Sequence, residues 1–129
     1  MLVRARTLLP HGLEDDVVVE LDGPRISAVR RAEAGDPDPR PGILLPGLVN
    51  AHLHLELAGL SVSGGEGLLA WVRGLMATPR PSDPPLRAAA DAMVAAGTAL
   101  VCDISNRGDT APVLDAAGLA GIVQHELLG

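Results

Sequence analysis

The stretch Leu45-Pro46-Gly47-Leu48-Val49-Asn50-Ala51-His52-Leu53-His54-Leu55-Glu56-Leu57 constrains this chain more than any other. It alternates with period two. Asn50, His52, His54 and Glu56 fall on one side, and Val49, Ala51, Leu53, Leu55 and Leu57 on the other, which is the pattern of a β-strand. A half-buried strand ordinarily turns its polar side to water, but a polar side made of Asn, His, His and Glu carries more chemistry than solvation needs. On a strand, His52 and His54 project the same way, roughly 6–7 Å apart along the chain. Two imidazoles at that spacing can bind one metal ion through their ring nitrogens. Taken alone, a His-x-His pair is more often part of an ordinary surface strand. Pro46 and Gly47 suit a chain that enters the strand from a turn.

On the N-terminal side, Leu2 to Leu9 reads as a first short strand and Pro10-His11-Gly12 as a turn. Asp16 to Leu21, with Val17, Val18 and Val19, reads as a second strand, Asp22-Gly23 as a hairpin turn, and Ile26 to Val29 as a third strand. Ala34 to Pro41 is rich in Pro, Gly and Asp and reads as a loop; Ile43 to Leu45 leads into the central strand. Short strands punctuated by turns predict a small sandwich or hairpin sheet over residues 1–45.

On the C-terminal side, Ala58 to Gly67 is a small-residue loop. Leu68, Leu69, Trp71, Val72, Leu75 and Met76 recur with the period of an amphipathic helix, which Pro79 and Pro81 end. Trp71 is either a packing residue or a substrate contact. Ser82 or Asp83 is placed to cap a second helix, whose stripe is Leu86, Ala89, Ala90, Met93 and Val94, with Gly97 just past its end. Thr98 to Ile104 is an apolar run of strand length and reads as a buried parallel strand, with Cys102 as a small buried apolar group. Asp103, Ser105 and Asn106 stand at its C-terminal end. Asp103 can either hydrogen-bond a metal-ligating histidine or satisfy loop backbone groups. Ala111 to Ala117 reads as a short helix capped near Asp109 or Thr110 and stopped by Gly118. Ala120 to Leu127 reads as a further strand on which Gln124 and Glu126 share a face. The βαβαβ order over residues 46–129 predicts an α/β architecture, either a barrel or a doubly wound sheet.

Composition excludes several classes of function. A chain of 129 residues that is 47% hydrophobic and 20% charged is a folded globular protein. Its formal net charge of −6 argues against a nucleic-acid surface, as does an aromatic inventory of Trp71 alone, without Phe or Tyr. The lone Cys102 fits a reducing cytoplasm. No uncharged apolar run reaches the length of a membrane span.

The segment Pro46-Gly47-Leu48-Val49-Asn50-Ala51-His52-Leu53-His54-Leu55-Glu56 resembles the first-strand signature of the amidohydrolase superfamily, the metal-dependent hydrolases and deaminases built on a (β/α)8 TIM barrel. The resemblance implies that residues 1–45 contribute to a composite β-sandwich and that residues 46–129 are the first strands and helices of the barrel. It also implies that His52 and His54 are ligands of one catalytic divalent metal, Zn2+ or Fe2+. Within the superfamily, His54-Leu55-Glu56, Trp71-Val72, Asp103 to Asn106 and Glu126 to Gly129 look most like the aminodeoxyfutalosine deaminases of menaquinone biosynthesis. Other members of the same group are chlorohydrolases and cyclic-amide hydrolases.

Metal-assisted hydrolysis is the chemistry so implied: a bound metal lowers the pKa of its water toward 7, and attack on a ring carbon of an aminopurine expels ammonia. Glu56 recognises a substrate amino or hydroxyl group or forms a loop salt bridge; Trp71, Asp103 and Glu126 complete the expected substrate-binding set. The partners expected are a small amino heterocycle and either a second copy of the chain or the remainder of a barrel, with no nucleic acid and no membrane. A (β/α)8 barrel typically needs about 250 residues, so the reading expects an N-terminal portion of a longer enzyme, inactive by itself. The remaining metal ligands are then expected beyond Gly129. The competing reading is a non-catalytic α/β scaffold with an incidental His-x-His.

Overall fold

A computed structural model describes residues 1–62, 66–79 and 85–126. The chain divides into two compact units, Met1–Pro46 and Gly47–Gly129.

The first unit is a four-stranded sheet. β1 (Leu2–Leu9), β2 (Gly12–Asp22), β3 (Arg25–Arg31) and β4 (Ile43–Leu44) lie in the order β3-β2-β1-β4. The two hairpin pairs are antiparallel, and β4 joins β1 in parallel. Three successive valines, Val17, Val18 and Val19, are 2%, 0% and 7% exposed. Neighbouring strand residues point to opposite sides, so both faces of β2 are covered at this point. β2 begins at Gly12, four residues before the Asp16 start read from the sequence, because the turn at Pro10 and His11 is tight enough for Gly12 to pair directly with Leu9. Between the polar start of β2 and its valines the register slips: Ala5 faces Val17, but Thr7 faces Glu14. The extra residue is absorbed at Asp16, whose φ is +57°, a left-handed conformation that Asp tolerates better than most residues. Its carboxylate accepts from Arg4 Nη2 at 2.9 Å.

The loop after β3 is tied down by charge. Arg30 donates to Glu20 Oε1 at 2.6 Å and, through both terminal nitrogens, to Asp36 at 2.7 and 2.8 Å. The Asp36 carboxylate also accepts from the Glu33 amide at 2.7 Å. The fork of Arg30 holds the Asp36 carboxyl well below the usual carboxylate range, and the Glu33 amide adds to the effect. Asp36 and Glu20 in turn raise the Arg30 guanidinium.

The second unit is a parallel sheet with helices. β5 (Leu48–Leu53), one turn of 3-10 helix (Leu55–Leu57), α1 (Leu68–Ala77), α2 (Leu86–Ala95), β6 (Thr98–Ser105), α3 (Ala111–Ala117) and β7 (Ala120–His125) follow in chain order, and the sheet order is β5-β6-β7. The core comprises Leu55, Ala90, Val101, Leu114 and Leu119, with Leu53, Leu86, Met93, Val113 and Val123 packed against it. Leu86, Ala89, Ala90 and Met93 of the α2 stripe predicted from sequence therefore face the core, while Val94 stays 42% exposed.

α3 ends at Gly118, with φ +77° and its amide bonded to Asp115 O at 2.9 Å, the left-handed stop that glycine permits. Arg87 of α2, paired with Asp91 one turn on, also donates to Ala116 O at 3.1 Å. It thereby ties α2 to the carbonyl end of α3 and supplies a cation where the helix dipole favours one.

Three expectations change. The apolar run of β6 is not buried on both faces. Val101, Asp103 and Ser105 are 1%, 0% and 1% exposed, whereas Leu100 is 43% exposed and Cys102 and Ile104 are half-buried. Cys102 lies on the open face, so it is not the fully buried group its apolar neighbours suggest. α1 forms where its period predicts, but none of its residues is buried; Leu68 and Leu69 are each 74% exposed. Thr110 occupies the N-cap position of α3, but its buried Oγ1 makes no hydrogen bond, so the helix starts without the expected side-chain cap. The expected caps of α2, Ser82 and Asp83, lie outside the described residues, as do Gly64, Gly65 and Pro81. No helix among the described residues is long and apolar enough to cross a membrane.

Candidate metal and substrate site

β5 stops at Leu53, four residues short of Leu57, where the alternation ends. His54 takes φ −125° and ψ 77°, and the chain then curls into the 3-10 turn, closed by the Leu57 amide on His54 O at 3.0 Å and the Ala58 amide on Leu55 O at 2.9 Å. The cause lies on the neighbouring strand. The Leu55 amide donates to Asp103 Oδ1 at 2.8 Å. The turn also carries Leu55 into the core, where it is 2% exposed.

His52 and His54 remain together. Their Nε2 atoms are 3.2 Å apart and their ring centroids 5.0 Å apart, with planes at 69°. His52 is exposed and His54 half-buried. Asn50 Oδ1 accepts from the His52 amide at 3.3 Å, which holds the strand just before the pair. Two nitrogens bound at about 2.0–2.1 Å to one tetrahedral zinc lie about 3.3 Å from each other. The observed separation therefore fits two ligands of one metal. It also fits a direct hydrogen bond between one protonated and one bare imidazole nitrogen. Among the described residues no group of three or more His, Cys, Asp and Glu side chains is placed to hold a metal.

Glu56 departs from the strand reading. It sits on the 3-10 turn, 2% exposed, and its Oε2 accepts from Ser105 Oγ, the Asn106 amide and the Arg107 amide, each at 3.0 Å. Ser105 Oγ in turn accepts from the Arg107 and Gly108 amides at 3.2 Å. A buried carboxylate is tolerated where polar hydrogens converge on it.

A cavity of about 210 Å3 opens beside these groups. Its polar wall is His54, Glu56, Asn106 and Glu126; its apolar wall is Leu57, Trp71, Val72, Leu75 and Met76. Asn106 Nδ2 donates a long hydrogen bond of 3.4 Å to Glu126 Oε2. Four of the six residues singled out in the sequence, His54, Glu56, Trp71 and Glu126, thus line one cavity. His52 stands beside His54 outside the lining, and Asp103 lies fully buried outside it too, hydrogen-bonded to the Leu55 amide. Of the roles read for Asp103, the geometry shows the one toward loop backbone; fully buried, it does not line the cavity with Trp71 and Glu126. Val72, Leu75 and Met76 read in the sequence as a packing stripe. Nothing in a period of 3.6 distinguishes a stripe that meets a core from one that walls a cavity.

No protein-family model matches the chain, and comparison with curated proteins finds no match. Solved structures do match in fold. Helicobacter pylori aminofutalosine deaminase, in complex with methylthio-coformycin, superimposes with a TM-score of 0.81 at 21% identity, covering 99% of this chain and 35% of that one. An amidohydrolase from Brucella melitensis superimposes with a TM-score of 0.62 at 22% identity, covering 95% and 34%. The chain spans about a third of the length of these structures. It shares its α/β fold with the matching third of two hydrolytic enzymes.

Proposed function

We propose that this chain is the metal-holding portion of an amidohydrolase that hydrolyses a carbon–nitrogen bond, acting as a deaminase on an amino heterocycle of the aminofutalosine type and so serving menaquinone biosynthesis. The observation that carries the proposal is the His52–His54 pair, whose Nε2 atoms meet at 3.2 Å beside a cavity with one polar and one apolar wall. The fold shared with an aminofutalosine deaminase supports it. The barrel as a whole, and the composite sandwich beside it, are part of the same proposal.

The residues divide the work. His52 and His54 hold one divalent metal, Zn2+ or Fe2+, through Nε2, which leaves the ring proton of each on Nδ1. The metal, when bound, supplies activation of water at neutral pH. Glu126, oriented by Asn106, presents an acceptor to the amino or hydroxyl groups of a substrate. Trp71, Val72, Leu75 and Met76 offer an apolar wall that takes one face of a heterocycle and keeps bulk water from it. Protein ligands beyond the two histidines come from outside the described residues, since a catalytic zinc takes about three.

The test is metal content and ammonia release from amino heterocycles, measured on the intact natural gene product and on His52→Ala and His54→Ala. Loss of metal and of turnover in both variants is expected. Retention of both in either variant removes the ligand assignment. The scaffold reading has one observation in its favour, that 3.2 Å is also a hydrogen-bond distance between two imidazoles; it predicts no stoichiometric metal in the wild type.

A further inference from the structure

β5 and β6 exchange buried acids at their C-terminal ends. Asp103, on β6, accepts the amide of Leu55, just past β5. Glu56, one residue further on, accepts Ser105 Oγ at the end of β6 and the amides of Asn106 and Arg107 beyond it. Asp103 is 0% and Glu56 2% exposed. Asp103 Oδ2 is buried and without a hydrogen-bond partner, a costly state for a polar atom that apolar packing alone has no reason to keep. The two acids fix the residues on either side of the chemistry: Leu55 is flanked by His54 and Glu56, and Asn106 reaches Glu126 in the cavity wall.

We infer that Asp103 and Glu56 are positioning residues that act through the backbone, holding the His54 imidazole at its distance from His52 and Asn106 at the cavity. The inference rests on the metal reading above. Each acid accepts main-chain amides of a neighbouring segment. The sheet register alone does not do this, because the ladder between β5 and β6 is irregular between Asn50 and Leu53. The hydrogen bonds of Asp103 and Glu56 resume the hold where the ladder lapses.

The experiment is Zn2+ affinity by chelator competition, together with the visible spectrum of the Co2+-substituted protein, on the intact natural gene product. Asp103→Ala removes the acceptor for Leu55, and a loss of affinity of about 10-fold or more with an altered Co2+ spectrum is expected. Asp103→Asn keeps an oxygen at Oδ1 and puts an amide where Oδ2 stands, so affinity within about threefold of wild type and an unchanged spectrum are expected. That rescue by the conservative variant is what a merely space-filling Asp103 does not predict.

Wild-type affinity and spectrum in a folded Asp103→Ala, with His52→Ala losing the metal, overturn the inference and leave the metal reading intact. If Asp103→Ala does not fold, Ser105→Ala decides: it removes one donor to Glu56, a loss of about threefold is expected, and no change overturns the inference. Equally weak Zn2+ binding by wild type and His52→Ala overturns the metal reading and this inference with it.

Discussion

Two acids beside the candidate cavity and three acids of the first unit make different contacts. In the first unit, Asp16 and Glu20 meet the guanidinium groups of Arg4 and Arg30 with their side chains at least partly open to solvent, while Asp36 meets Arg30 with its side chain 7% exposed and also takes the Glu33 amide. In the second, Asp103 and Glu56 are buried and turned onto main-chain amides and a serine hydroxyl. An ion pair at a rim secures a loop, tolerates replacement and weakens with salt. A buried carboxylate on amides sets backbone position and cannot be removed without stranding its donors. Asp103 and Glu56, beside the candidate site, are of the second kind, and Asp36 combines the two.

Substitution can break the contrast. The largest effect is expected for Glu56→Ala, which leaves a hydroxyl and two amides without their acceptor: a loss of about 3 kcal/mol in denaturant unfolding. A loss under about 1 kcal/mol would place Glu56 with the rim acids. Asp103→Ala strands one amide, and about 2 kcal/mol is expected by the same measurement.

The Arg30–Asp36 pair should show itself through pH. Because its folded pKa is depressed, Asp36 contributes stability that is present above the ordinary carboxylate pKa of about 3.9. Below that value the unfolded chain binds the proton first, so stability falls as pH falls toward the folded-state pKa. Asp36→Asn is expected to flatten the acid limb of a stability–pH curve, and added salt to do part of the same; an unchanged limb would show that Arg30 is not holding that carboxyl.

The smallest effect on stability belongs to His52→Ala. The ring is exposed, and a change within about 0.5 kcal/mol is expected even as metal binding is lost. A larger drop would mean that the histidine pair is part of the scaffold.

Much of this was legible in the residues. β1 runs from Leu2 to Leu9 as read, α3 from Ala111 to Ala117, and β6 ends one residue past the apolar run, because period and turn chemistry are local signals. What was not legible is non-local. The alternation of Leu53, Leu55 and Leu57 continues through Glu56 as though the strand did, yet the strand ends at Leu53 because a carboxylate 48 residues further along claims the Leu55 amide. The chemistry at stake in Asn50, His52 and His54 survives that bend, since His52 and His54 still meet. Glu56 does not keep the exposed place that alternation gave it, and the sequence carries no local sign of which backbone it would serve. Trp71 and Glu126 line the cavity, but the α1 stripe gave no sign that it would stay largely open to solvent.

Leu55 is held twice: its side chain is a member of the core with Ala90, Val101, Leu114 and Leu119, and its amide is bound by Asp103. The residues immediately before and after it carry the imidazole and the carboxylate of the site. The interior of the second unit and its chemistry therefore cannot drift independently in evolution. A library that randomises Ala90, Val101 or Leu114 among apolar residues should yield many folded members in which the geometry at His54 has been lost, a change that screening for solubility alone would not register.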